Sequence, residues 1–364
     1  MQHEIKERHA LLDDKGHLIE AGYARELLLE YDRSSIKAGS LRIKEWDYYL
    51  ITAEDFAVAL TIADNSYMGL DSISLLDFKE GWEQTTSPIL FMTRGKRNLP
   101  PSSEHGDVMA NGKNYFIHFE HHSNYRLLRF QMDKFKDGKP IRGEIRLENP
   151  KQDSMVIATP FKEKDTAFYY NQKIIAMPAS GKVEFDGREY NFGEGTSFGM
   201  LDWGRGVWTY KNTWYWGAAQ GMLGGHRFGW NIGYGFGDTS AASENMLFYD
   251  GVAHKLGNVT FHIPSANREY TTHGGCCTVS GQKVETQDKV DDYMSPWLFT
   301  SDDGRFEMNF VPVMDRASKT DLKLICSDQH QVFGHFTGKA VLDDGTELKI
   351  KDFFGFAEKV MNKW

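Results

Sequence analysis

Short runs of apolar, β-branched and aromatic residues, each closed by a polar turn, recur along the whole chain. EWDYYLITAED, FAVALTIADNSYMGL and SISLLDFKE open the series just after Lys44. NYRLLRFQM and IRGEIRLEN flank Asp137-Gly138, and MVIATPF and AFYYNQKIIAMPA follow. Asp186-Gly187, Asp250-Gly251, Asp303-Gly304 and Asp344-Gly345 each separate two further strand-like runs. Asn111-Gly112 in DVMANGKNYFIHFEH adds another hairpin signal, because these dipeptides accept the positive φ that tight hairpin turns demand. No sustained 3.6-residue period interrupts the pattern, apart from short helical stretches around residues 24–31 and 357–362. Regular short strands with two-residue turns predict an all-β protein of sandwich or up-and-down barrel type.

The pattern is densest over residues 192–249, where glycine and aromatic residues alternate and Trp203, Trp208, Trp214, Trp216 and Trp230 crowd together. Glycine in a strand marks a bend or a close backbone approach, and large rings cover what it leaves bare. A faint internal echo runs through the chain. EWDYYLITAEDFAVALTIADNSYMGLDSISLLDF parallels NTWYWGAAQGMLGGHRFGWNIGYGFGDTSAASENMLFYD, each opening on an aromatic triplet and ending on an apolar run. Two similar β lobes meeting near residues 178–184 are expected, after a polar leader over residues 1–39.

Composition narrows the function classes. At 40% hydrophobic and 13% aromatic, 364 residues can bury a substantial core. A net charge of -9 argues against nucleic acid as a partner. No apolar run is long enough to span a bilayer, and the charged opening MQHEIKERHALLDD is unlike a signal peptide, so a cytoplasmic protein without stable membrane insertion is expected. Cys276, Cys277 and Cys326 make no disulfide framework, and the adjacent pair reads as free thiols in a reducing compartment, with a vicinal bridge as the alternative.

SGKVEFDGREYNFGEGTSFGMLDWGRGVW, with NTWYWGAAQG, GYGFGDTSAASENM, PWLFTSDDGRFEM, SDQHQVFGHFTG and the closing GFAEKVMNKW, resembles a bacterial family known as domain of unknown function 2804. The resemblance runs from LLDDKGHLIEAGYA to Trp364 and attaches no activity. A shorter segment, residues 180–204, is similar to the opening of the second lobe in AttH-like proteins and carotenoid 1,2-hydratases, with tocopherol cyclases broadly related. Asp202, Trp203 and Gly204 carry that likeness. An acidic or basic residue usually precedes the Trp-Gly pair in those proteins, and here the order is Leu-Asp-Trp-Gly-Arg. The resemblance implies two tandem lipocalin-like antiparallel β-barrels (calycin-like), holding long apolar molecules and, in some members, hydrating or cyclising an alkene. On this chain the lobes would span residues 40–179 and 180–364, with residues 1–39 as an N-terminal arm.

Several residues can carry chemistry in such a frame. Asp202 beside Arg205, Trp203 and Trp208 is either an acid raised by desolvation or an Asp–Arg pair that pins a Gly-rich loop. Glu244 precedes an apolar strand, and pointing inward it would make a general acid, while Asp238 reads as a turn residue. His330 shares a strand face with Asp328 and is either an oriented base or an ordinary satisfied histidine. His118, Glu120 and His122 alternate onto one face, but no second ligand cluster supports a metal, and a solvated hairpin end is the reading. GMLGGHRFG lacks a phosphate-loop pattern, and no GxSxG elbow occurs. No cofactor or metal is expected. The leading reading is binding of a small, largely apolar molecule, lipid or isoprenoid-like, against Trp203, Arg205, Trp208, Trp214, Trp216, Trp230 and Tyr234, in the second lobe or between lobes. The alternatives are a cofactor-free hydratase, cyclase or isomerase with Asp202 or Glu244 as acid, and a scaffold whose barrels are filled by their own side chains.

Overall fold

The computed structural model describes residues 2–271, 283–321 and 326–363. Strands dominate, and among the described residues the one helical element is a three-residue 3-10 turn, Arg33–Ser35. In the first of two large antiparallel sheets, Ile43–Thr52, Phe56–Asp64, Met68–Asp77 and Trp82–Thr86 form a meander. Ile43–Thr52 also pairs with Phe198–Val207, after which come Lys164–Phe185, Lys139–Glu148, Tyr125–Lys136, Tyr115–His121 and Val108–Gly112.

The second sheet repeats this order. Lys211–Leu223, His226–Tyr234, Met246–Tyr249 and Val252–Lys255 form its meander. Lys211–Leu223 pairs on its other side with Glu347–Lys363, followed by Cys326–Val341, Phe306–Asp321, Trp297–Ser301 and Val259–His262. In each lobe the opening strand is zipped to the closing one. Each sheet also coils back on itself: Thr86 Oγ1 donates to the Phe135 carbonyl at 2.6 Å, drawing Trp82–Thr86 against Tyr125–Lys136, and Phe261 N donates to the Tyr234 hydroxyl at 3.4 Å, joining Val259–His262 to His226–Tyr234. The expected all-β fold stands, in two tandem coiled sheets of like topology.

The passage between lobes comes at residues 208–210, later than the expected division at residue 180. Residue 180 falls inside the longest strand, Lys164–Phe185, whose two halves serve different neighbours. Phe168–Ile174 lies between Met155–Phe161 and Phe198–Val207, while Gly181–Phe185 lies between Lys139–Glu148 and Arg188–Phe192. Gly181, at φ +128°, sits where a Cβ would come 2.2 Å from the Glu144 carbonyl oxygen. A bend within a strand thus carries the glycine signature of a boundary.

Asp137-Gly138, Asp186-Gly187 and Asp250-Gly251 form tight turns with both residues at positive φ. Asn111-Gly112 does not: both lie in a strand, and the turn is at Lys113-Asn114. The Tyr115 ring covers Gly112, where a Cβ would meet it at 1.9 Å, so the glycine makes room for a ring instead of a turn. Residues 24–31 hold two short strand segments in place of a helix, and residues 357–362 belong to Glu347–Lys363. The middle of that last strand, residues 355–358, is buried on both faces, which erases the alternation there. The N-terminal arm adds Gly22–Ala24 to the edge of Met155–Phe161 and reaches the second lobe, where the Gln2 side chain accepts from Ser243 N at 2.6 Å.

Aromatic residues pack the interior of the second lobe. Trp230 touches Phe228, Phe306, Phe336 and Phe353, and Trp297 and Phe299 join Phe310. The core of the first lobe is continuous with the seam between lobes, where Trp208, Trp216, Phe236, Phe333 and Phe356 meet it.

Candidate functional site at the lobe interface

Strand pairing alone places three polar residues in one row on the first sheet. Lys173 lies opposite Asp202 and Asp202 opposite Tyr48, so all three side chains leave the same face, toward the second lobe. Lys173 Nζ and Asp202 Oδ1 are 2.8 Å apart in a buried ion pair, and Asn171 Nδ2 donates to the same carboxylate at 2.6 Å. Facing them is Trp216. The Lys173 ammonium stands 4.0 Å from its ring centre, Tyr48 meets it edge-on, and its indole N–H donates to Asn231 Oδ1 at 2.7 Å.

Trp216 organises the acids of the second lobe. Glu358 is its partner on one neighbouring strand and Gly233 on the other. The Glu244 carboxyl lies against Gly233, with Oε1 2.8 Å from where a Cβ would be. Glu358 receives Trp214 Nε1 at 3.0 Å and Gln331 Nε2 at 3.2 Å. Burial pushes the Glu358 carboxyl up to about 7, against the lowering pull of the Trp214 N–H and Lys173. Burial raises Glu244 as well, with Lys173 opposing and Asp202 reinforcing. The Tyr48 hydroxyl is buried without a hydrogen-bond partner, with Arg316 and Gln331 as its polar neighbours. Arg316 bridges the lobes, from Gln331 Oε1 at 3.0 Å to Ser74 Oγ at 2.8 Å.

An aromatic wall runs from this cluster to the surface. Trp208 contacts Trp46, Trp214 and Phe236, while Tyr169 stacks on Trp46 and meets Phe236. Trp46 and Trp214 are only partly buried. Gly204 makes the wall possible: a Cβ there would sit 1.9 Å from Trp46 Cζ2. Two surface depressions of about 290 and 250 Å³ lie elsewhere, one beside Lys211, Cys326 and Met361 and the other beside Trp82 and Phe185.

The expected site residues are distributed over three places. Asp202, Glu244, Trp208, Trp214 and Trp216 converge at the interface. Trp203 and Arg205 point into the first lobe, where Arg205 pairs with Asp47 at 3.0 Å and lies over Trp203. The Asp202–Arg205 pairing expected from their spacing therefore does not form: in a strand, residues three apart face opposite ways. Trp230 is core, and Tyr234 stacks on Tyr215. His330 is on the opposite face from Gln331, stacked on Tyr293 and paired with Asp315 at 2.7 Å, with Asp328 3.4 Å away. His118 bonds Asn111, Glu120 pairs with Arg129, and no metal-holding group of side chains occurs among the described residues. Cys326 is a free, half-buried thiol, and Cys276 and Cys277 lie outside the described residues.

Lys173, Glu358, Tyr48, Tyr169 and Gln331 were missed by pattern reading. For Lys173 the available signal was a lone charge at the head of an apolar stretch, in QKIIAM; Glu358 carried no such mark, because Lys359 follows it in GFAEKV.

Comparison with solved structures gives the fold a wider setting. CghA superposes with a TM-score of 0.51 at 12% identity, covering 98% of this chain and 97% of that one. A protein assigned as AttH from Nitrosomonas europaea gives 0.47 at 13% identity, covering 91% and 96%. Kievitone hydratase from Nectria haematococca gives 0.47 at 11% identity, covering 98% of each. A search of curated protein sequences finds no match. No helix of the described chain is long and apolar enough to cross a membrane. A family model matches residues 2–364, and the chain belongs to the family described as domain of unknown function (DUF2804).

Proposed function

We propose that the lobe interface takes a small, largely apolar molecule and performs proton transfer on it, as a cofactor-free hydratase, cyclase or isomerase. The observation that carries this is the convergence of Asp202–Lys173 from one lobe with Glu244 and Glu358 from the other around the Trp216 ring. A fold shared at 12% identity leaves the site to carry the reading.

Glu358 is the acid. Near neutral pH its carboxyl is still partly protonated, which suits donation to an alkene or enol carbon. The proton moves from Glu358 to that carbon, leaving a carboxylate on Glu358 and a cationic centre on the substrate. The Trp216 ring already faces one cation, the Lys173 ammonium at 4.0 Å, and Trp214 is the ring hydrogen-bonded to Glu358. Loss of a neighbouring proton, attack by a second double bond, or addition of water then completes isomerisation, cyclisation or hydration, and the released proton restores Glu358. Asp202 and Lys173 set the field in which this happens, and Glu244 offers a second carboxyl within it. The partly buried Trp46 and Trp214, which lead from the surface toward these acids, favour the interface over the interior of the second lobe as the place where an apolar molecule binds.

The full-length protein would be incubated in D2O with a panel of terpenoid alkenes and phenolic enols, and deuterium uptake read by mass spectrometry. Uptake into one class, lost by about 100-fold or more in Glu358→Gln, is expected of a general acid. Equal uptake by wild type and Glu358→Gln would sink the assignment.

A further inference from the structure

The opposite face of the same three strands builds a second polar site, inside the first lobe. Asp47 lies opposite Trp203, and Trp203 opposite Gln172. In the next row Glu45, Arg205 and Tyr170 are neighbours. Arg205 Nη2 pairs with Asp47 and also donates to the Pro100 carbonyl at 2.8 Å, while Nη1 donates to the Trp46 and Gly204 carbonyls. From the facing wall comes Arg126, whose Nη1 donates to the Tyr49 hydroxyl at 3.1 Å and to His121 Nε2 at 2.6 Å. His121 accepts that bond as a neutral ring: burial, then the Arg126 charge, brings it down to about 4.

Besides His121 Nδ1, three buried donors in this interior have no protein acceptor: Trp203 Nε1, Arg205 Nε and Arg126 Nε. The residues that carry them are 0%, 0% and 2% exposed. All three are N–H groups, so what they lack is one kind of thing, an acceptor. Charge points the same way. Arg33 is matched by Glu45 and Arg205 by Asp47, while Arg126 has no carboxylate within ion-pair distance among the described residues. A guanidinium held in a protein interior without a counter-charge is costly, and a bound anion removes that cost.

We infer that the interior of the first lobe binds a small monoanionic oxygen acceptor, a carboxylate, between Trp203, Arg205 and Arg126. Arg126 supplies the unmatched charge, and the indole and guanidinium Nε–H groups supply direction. The loop over residues 98–106 closes the site from outside, through Pro100 on Arg205 and Ser103 on Gln172. This site is separate from the interface acids, since Asp202 and Trp203 leave opposite faces of one strand.

The test is nuclear magnetic resonance of the indole N–H of Trp203 in the ¹⁵N-labelled full-length protein, assigned by its loss in Trp203→Phe. Sodium acetate, sodium octanoate and sodium sulfate would be titrated at constant ionic strength. A saturable shift with acetate or octanoate is expected, weakened at least about tenfold in Arg126→Gln, with sulfate shifting it less. Acetate alone would identify a small free carboxylate, and much tighter octanoate binding would identify a fatty-acid headgroup. No saturable shift with either carboxylate, or one unchanged in Arg126→Gln, would overturn the inference and leave water as the acceptor. The wild-type titration reads this site even where a variant folds poorly, and its outcome is independent of Glu358.

Discussion

Asp202 and Lys173 illustrate how tightly a single residue is tied to its row. Removing Lys173 leaves the Asp202 carboxylate buried beside the Glu244 and Glu358 carboxyls without its cation, at a cost of about 3–5 kcal/mol. Lys173→Met is therefore expected to lower stability by that order in urea titration. A change below about 1 kcal/mol would show the pair to be solvated. Chemistry is better tested at Glu358, whose raised carboxyl carries its own signature. The unfolded chain ionises near the ordinary 4.5, whereas the folded protein holds the proton to about 7. Between those values the folded state binds more protons than the unfolded one, so this group's contribution to stability falls as pH rises and is level above about 7. Glu358→Gln removes the effect. Urea midpoints at pH 5 and pH 8 should show the variant gaining on wild type by up to about 3 kcal/mol. A pH-independent difference would contradict it.

Among the strands, Phe198–Val207 has two duties because its faces serve two sites. Its even-numbered positions, Asp202 and Gly204, look to the second lobe, and its odd-numbered positions, Trp203 and Arg205, look into the first. Alternation of this kind is fixed by the backbone, so a one-residue register slip would exchange both sites at once. Gly204→Ala is expected to displace Trp46 and its stack on Tyr169, at a cost of about 1–3 kcal/mol. Near-ultraviolet circular dichroism would report the lost ring order, and an unchanged spectrum with unchanged stability would refute the packing argument.

What the sequence made legible follows the same division. Asp-Gly turns and alternating strands could be read directly because turn chemistry and period 2 are local. Asn111-Gly112 misled because Gly112 answers to the ring of Tyr115, its partner across the hairpin, a contact set by the pairing register. Strand segments buried on both faces, residues 355–358 among them, lost their alternation and with it the mark that would have exposed Glu358. Asp202 and Glu244 were legible as isolated acids among rings. Their partner Lys173, and the splitting of Asp202 from Arg205, depended on which strands lie side by side, which no local pattern encodes.

At the level of the whole molecule, the two sheets are repeats whose echoing segments meet. EWDYYL and TWYWGA, the opening strands of the two lobes, face each other through Tyr48 and Trp216. Gln220 ties the same seam by donating to the Phe198 carbonyl at 2.9 Å. Because the first-lobe core runs on into this seam, the lobes are expected to unfold together. Tryptophan fluorescence and far-ultraviolet dichroism should give coincident urea transitions, and two separated transitions would show the seam to be a weak contact.

The seam matters because it holds an acid in a place where protons are retained. The most direct measurement is a pH titration of glutamate side-chain carboxyl carbons by ¹³C nuclear magnetic resonance, with Glu358 assigned by its absence in Glu358→Gln. An inflection for Glu358 near 7 is the expected result. An inflection in the ordinary glutamate range, near 4.5, would mean that the interface is wet, and the proton-transfer reading would fall with it.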